Sequence, residues 1–230
     1  MSRMLFQRSL GLVALIFASL AGGCSSAKPT MISSDPQGAK LQVNGKDIGA
    51  APTTYTFSFS DTSSYDLTAA QPGYLDTKTK VTSDSPDLKT GLVKITLTAD
   101  QAFSSTVPSD AANQWVLVQT DPKLNKETVW QKVVSAASDR YTHMTLLDEA
   151  SGYLQSDSLS RPFPQPARSG MTVRTQMIAA IASQQPLVYK VKLVSQISYG
   201  DAPNSWTDYP RVFPEDAALV NQIRSQIGVQ

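Results

Sequence analysis

The longest apolar run in the chain, Leu10 to Leu20 (LGLVALIFASL), is about half the ~20 residues that a membrane-spanning helix needs. Arg3 and Arg8 precede it, and the small residues Ala21-Gly22-Gly23 come directly after it. A basic start, a short apolar centre and a small-residue end are the three parts of a secretory signal peptide. Residues 1–23 are therefore expected to be removed, with cleavage after Gly23. The rest of the chain has no comparable run, so it is expected to fold in water from segments in which apolar residues alternate with polar ones or recur at helical spacing.

The remaining length suits one large domain or two small ones. The 20 Lys+Arg nearly cancel the 19 Asp+Glu, so no net field points to nucleic acid. A single cysteine excludes an internal disulfide and a cysteine-based zinc site. A single histidine, His143, excludes a multi-histidine metal centre and leaves one imidazole as a candidate base.

The one cysteine falls directly after the leader, in Leu20-Ala21-Gly22-Gly23-Cys24. This ending resembles the lipobox of bacterial lipoproteins, although Leu20 stands four residues before the cysteine where three is more usual, and Ala21 takes the customary place. The resemblance implies a diacylglyceryl thioether on Cys24, a membrane partner reached through that lipid, and residues 24–30 as a tether. Ser25 and Ser26 come next in place of the aspartate associated with inner-membrane retention, which implies attachment to the outer membrane, facing the periplasm. A multiply acylated anchor, at about 0.8 kcal/mol per buried methylene, is effectively permanent.

Residues 31–99 read as a small β-domain. Lys40-Leu41-Gln42-Val43 and Lys46-Asp47-Ile48 flank Asn44-Gly45, a pair that suits a type I′ hairpin because both central residues need positive φ. Further strands are expected at Thr54–Ser60, Tyr65–Ala69, Asp76–Val81 and Val93–Thr98, with Gln71-Pro72-Gly73-Tyr74 as a turn. Pro36-Gln37-Gly38-Ala39 resembles the Pro-Glu-Gly-Ala signature of the PEGA domain, with Gln for Glu. Val43-Asn44-Gly45-Lys46, Ile48-Gly49, Pro52 and Pro72-Gly73-Tyr74 extend the likeness, and Ala51 departs from the Thr usual there. These are turn residues, so they imply a fold rather than a site. The family implies binding of protein or carbohydrate in the cell envelope.

Residues 100–112 carry Ser, Pro and Ala without a period and read as a linker. In residues 113–230, Trp115–Gln119 is expected as a strand. Asn125 is expected to cap a helix from Lys126 that buries Val129, Trp130, Val133, Val134 and Ala137. Four strands come next: Thr142–Glu149, Tyr153–Leu159, Met171–Ala182 and Leu187–Tyr199. The last two alternate apolar and polar residues, as in a sheet with one wet face. Pro214 opens a final helix that Gly228 ends. The fold class is α+β: a PEGA-like sandwich, then an antiparallel sheet in the order β-α-β-β-β-β-α. The Gly152-Tyr153-Leu154 strand start, the Arg174 strand, Tyr189-Lys190-Val191 and the helix after Tyr209-Pro210-Arg211-Val212-Phe213 resemble the helix-grip modules of the C component of the outer-membrane β-barrel assembly machine.

No catalytic constellation is visible. His143 lacks a recognisable nucleophile, and Asp148 and Glu149 are adjacent, which turns them to opposite faces of a strand. Neither cofactor nor metal is expected. Arg161-Pro162-Phe163-Pro164-Gln165-Pro166 reads as an extended hairpin tip or as an arm presenting Phe163 to a partner. Tyr74, Trp206 and Tyr209 are the other candidate contact residues. The expected function is a non-catalytic, lipid-anchored accessory or scaffold subunit of an envelope assembly, with envelope proteins as partners. The alternative is a peptidoglycan- or carbohydrate-binding module acting through the PEGA-like part.

Overall fold

The computed structural model describes residues 27–165, 168–200 and 205–229. Gly23, Cys24 and the leader lie outside the described residues.

The first module is a two-sheet sandwich. One sheet has β1 (Lys28–Asp35) at its centre, antiparallel to β4 (Thr53–Phe57) and parallel to β7 (Leu92–Thr96). The other is antiparallel, in the order β3 (Lys46–Ala50), β2 (Lys40–Val43), β5 (Ser64–Ala70), β6 (Thr77–Thr82). The inner faces meet through Ile32, Leu41, Val43, Phe57, Leu67, Val81, Val93 and Ile95, all buried. Alternation along each strand supplies this face and leaves the opposite one polar. Asn44 and Gly45 sit at φ 49° and 77°, as the hairpin requires, and Asn44 Oδ1 also accepts the Asp66 N–H at 2.8 Å. The Pro36–Ala39 turn is tied to its neighbour by Gly38 N–H to Ala51 C=O (3.0 Å) and Ala51 N–H to Ala39 C=O (2.8 Å). Two elements differ from the sequence reading. β1 pairs with a strand about sixty residues away, and a one-turn helix, α1 (Pro86–Thr90), interrupts the strands where Leu88 plugs the core.

Residues 100–112, read as a linker, are folded. Asp100 caps α2 (Gln101–Ser104) by accepting the Phe103 N–H at 3.0 Å. β8 (Val107–Pro108) then pairs with β16 (Arg211–Val212). Ala102 and Ala111 are fully buried. The segment shows no period because its apolar residues suit different neighbours: Ala102 packs in the shared cluster, and Val107, Ala111 and Ala112 against the second core.

The second module is a seven-stranded antiparallel sheet. β10 (Met144–Asp148), β11 (Tyr153–Ser156), β13 (Arg168–Gln184), β14 (Leu187–Tyr199) and β15 (Thr207–Asp208) lie side by side in that order. β12 (Leu159–Gln165) lies on β13 and β9 (Val116–Gln119) on β14. Helices α3 (Lys126–Arg140) and α4 (Pro214–Ile227) pack on one face, against Tyr189, Val191, Leu193, Met177 and Ala179. Asn125 Oδ1 accepts the Thr128 N–H at 2.7 Å, the expected cap, which contributes about 1 kcal/mol.

The expected strand Tyr153–Leu159 is two strands. Ser156 is buried and its Oγ accepts the Met177 N–H at 2.9 Å, ending β11. The chain then crosses to the other half of β13, which is too long for one short partner: Leu154 pairs with Ala179, and Leu159 with Thr175. The proline-rich run thus becomes β12, an edge strand that among the described residues is bonded on one side only, where prolines are tolerated. Phe163 is not an outward arm. It is buried against Ala102, Met171, Val173, Ile197 and Phe213, because its register opposite Met171 turns it inward.

Candidate functional site

The surfaces available for recognition are set by which sheet faces the helices leave uncovered. On the first module the outer face of β2, β5 and β6 forms a groove of about 640 Å³. Gln42, Asn44, Asp66, Thr68, Lys78 and Lys80 line it, with Asp66 opposite Lys80 and Thr68 opposite Lys78 across the strands. Both charge signs and two amides suit a polar, hydrogen-bonding ligand. The groove contains no aromatic platform.

A smaller groove, about 390 Å³, lies where the first module meets α2, between Lys40, Gln71, Tyr74, Asp100 and Phe103. Tyr74 is half-buried at its wall and packs partly on the sandwich core. On the rim nearby Lys40 pairs with Asp47 at 2.9 Å. That bond raises the lysine above its ordinary value and lowers the carboxyl.

In the second module the outer sheet face carries Arg174, Lys190 and Lys192, each half-exposed. The Arg174 guanidinium lies 4.0 Å from the centre of the Trp206 ring and donates twice to Gln196 Oε1, at 2.9 and 2.6 Å. Trp206 is thereby held on the sheet. Tyr209 packs on the Phe163–Phe213 cluster, its hydroxyl 3.3 Å from that of Thr106, and burial pushes its pKa up. Of the four candidate contact residues, the fold buries Phe163 and holds Tyr74, Trp206 and Tyr209 half-buried.

His143 is exposed at the entry to β10. Asp148 is occupied by the adjoining turn: it accepts the Ala150 N–H at 3.0 Å and the Ser151 hydroxyl at 2.5 Å. The serine bond holds the carboxyl below its ordinary value. Among the described residues no three His, Cys, Asp or Glu side chains gather to hold a metal.

Asp216 is the charged residue whose burial sequence reasoning missed. Its place in the first turn of α4 suits the helix dipole, which reads as a surface role, yet it is 0% exposed. Arg140 Nε donates to its Oδ1 at 2.6 Å and the Tyr141 hydroxyl donates to the same oxygen at 3.2 Å. Burial opposes the Arg140 charge, but the bond and charge of Asp216 outweigh it and the guanidinium pKa rises. The Tyr141 phenol is pushed up by burial and then by the Asp216 charge. The cluster ties the end of α3 to the start of α4. An arginine ending one amphipathic helix and an aspartate opening another could have suggested it.

Residues 30–101 match the PEGA domain, which supports the PEGA-like reading of the first module. Comparison of the chain with curated proteins finds no match. No described helix is long and apolar enough to cross a membrane.

Proposed function

We propose that this chain is a non-catalytic, lipid-anchored lipoprotein of the outer membrane, facing the periplasm, and an accessory or scaffold subunit of a protein assembly there. The observation that carries the reading is the joint between the modules. Leu75 and Ala102, from the PEGA side, share one apolar cluster with Phe163, Met171, Val173, Ile197, Tyr209 and Phe213 of the second sheet. A shared core holds two recognition surfaces at a fixed spacing, which is what a scaffold needs. The leader and Cys24 support the anchor by their sequence. The antiparallel sheet with α3 and α4 on one face supports the likeness to helix-grip modules.

Strand β10 is the docking edge in this reading. Among the described residues it pairs only with β11; it contains neither proline nor lysine, and it leaves Leu146 and Leu147 about half exposed (51% and 49%). Open edges of this kind accept an added strand from a partner. Two measurements test the proposal. Labelled palmitate should mark the wild-type chain and fail to mark Cys24→Ser. A partner should co-purify in fixed ratio with the detergent-solubilised chain and be lost with Leu146→Lys. Recovery of the chain alone overturns the scaffold role.

The polar groove over β2, β5 and β6 favours a second reading, recognition of peptidoglycan or another glycan. Sedimentation of the full chain with isolated sacculi, abolished by Gln42→Ala with Lys78→Ala, distinguishes it from the first.

A further inference from the structure

The edge of the second sheet remote from β10 presents an arrangement that neither reading uses. Val118 is buried in the core, so its alternate neighbours on β9, Leu117 and the preceding Trp115, face outward. They protrude: Leu117 is 66% exposed and Trp115 is 42% exposed. On the adjoining β14, buried Tyr189, Val191 and Leu193 alternate with outward Lys190 and Lys192, and Leu117 is the register partner of Lys190. Both ammonium groups lie over the one indole, Nζ of Lys190 at 4.7 Å and Nζ of Lys192 at 5.0 Å from its centroid. Ile178, opposite Lys192 on β13, continues the patch. Neither lysine forms an ion pair among the described residues.

We propose that Trp115, Leu117, Lys190 and Lys192 form a contact with an anionic lipid bilayer. Two cations crowded on one ring repel each other, and a phosphate placed outside them relieves that repulsion. The indole is amphipathic and belongs at the headgroup level, Leu117 reaches the acyl boundary, and the lysine stems lie along apolar surface while their charges stay with the phosphates. A folded protein partner fits less well. The side chains protrude rather than line a recess, and the two grooves described above lie elsewhere, whereas a fluid bilayer moulds itself around protruding groups. The contact does not depend on the Cys24 anchor, but with that anchor it would fix the orientation of the sheet to the membrane.

The test uses the full processed protein with vesicles of brominated phosphatidylcholine, alone or mixed with phosphatidylglycerol. Tryptophan emission should be quenched on the mixed vesicles, and Trp115→Phe should remove that quenching. Lys190→Glu with Lys192→Glu, or added salt, should lower the docked-to-undocked ratio read from the quenching on mixed vesicles by at least about tenfold, on the basis of about fivefold per lysine near an anionic surface. Thermal melts confirm that the variants fold. Quenching that Trp115→Phe leaves unchanged overturns the proposal, as does equal quenching without phosphatidylglycerol. An indole that stays unquenched on the mixed vesicles also overturns it, including the case in which an acidic protein takes the face. Co-sedimentation with phosphatidylcholine alone reads the acyl anchor separately, so failure of the anchor and failure of this contact are distinguishable.

Discussion

The guanidinium carbon of Arg211 lies 3.8 Å from the centroid of the Phe103 ring, so a residue of the second module closes over the helix that ends the first. Arg211 Nε also donates to Thr106 Oγ1 at 3.0 Å, and Nη2 donates to the carbonyls of Phe103 (3.0 Å) and Thr106. One side chain thus adds a bond to the Phe103 carbonyl at the end of α2 and bonds the Thr106 carbonyl just beyond it. It stacks on the ring at the same time.

Replacing Arg211 with Ala should open this joint. The expected result is faster limited proteolysis within residues 100–112 and a melting transition that separates into two, with a loss of about 2 kcal/mol assigned to the charge-assisted bonds. Lysine should restore little, because it cannot stack as a plane while donating in a fork. A single unchanged transition in calorimetry would contradict the account of the joint.

Phe163→Ala should cost stability rather than only binding. The ring is 6% exposed in the shared cluster, so its removal should lower stability by about 3 kcal/mol in urea titration. An arm docking to a partner would leave the free protein's stability unchanged.

Asp216→Asn should destabilise the second module by about 3 kcal/mol, because Arg140 loses the charge that compensates its partial burial. Replacing Arg140 with Met together with Asp216→Leu should cost much less than Arg140→Met or Asp216→Leu alone. Denaturant titration of the double-mutant cycle measures this.

Gly152 has φ +65°, and a Cβ there would stand 2.5 Å from Ile181 Cγ1 and 2.8 Å from the Tyr189 hydroxyl. Gly152→Ala should therefore cost more than the roughly 1 kcal/mol of a left-handed residue alone. Tyr189→Phe should behave oppositely. The Tyr189 hydroxyl is buried without a hydrogen-bond partner among the described residues, and its removal should stabilise by about 1 kcal/mol. Paired thermal melts read both signs.

Alkali should unfold the second module through its buried phenols. Burial, and next the Glu149 charge, push Tyr189 up to about 12, and Tyr141 is raised as well, above the ordinary value near 10 of the unfolded chain. Below pH 10 both states keep these protons and the stability is complete. Above it the unfolded chain releases protons that the folded chain retains, so stability falls by about 1.4 kcal/mol per pH unit per tyrosine until the folded value is passed. Urea midpoints from pH 8 to 11.5 should show this slope, and Tyr189→Phe should lessen it.

The features legible in the sequence are local. The Asn44-Gly45 turn, the Asn125 cap and the Pro214 start are set by residues that satisfy their own neighbours, so each can be read from a few positions. The alternation in Met171–Ala182 and Leu187–Tyr199 likewise marks the inner face of the long hairpin without reference to a partner strand. The grooves and the β10 edge were not legible, because each is made by strands whose order in the sheet no short segment encodes. The proline-rich run pairs with β13 up to Gln165 opposite Arg168, as its reading as a hairpin tip expects, but its residue types exclude only a sheet interior and could not show that Phe163 turns inward.

By itself the sequence determined the turns, the two long helices and which side chains of each strand prefer water, since these depend on backbone preference and side-chain polarity within a few residues. Only the tertiary structure decided that β1 lies beside β7, that Phe163 points inward and that residues 100–112 form a joint. Those outcomes are selected by contacts such as Arg211 with Thr106, 105 positions apart, whose burial becomes favourable only after both modules have formed.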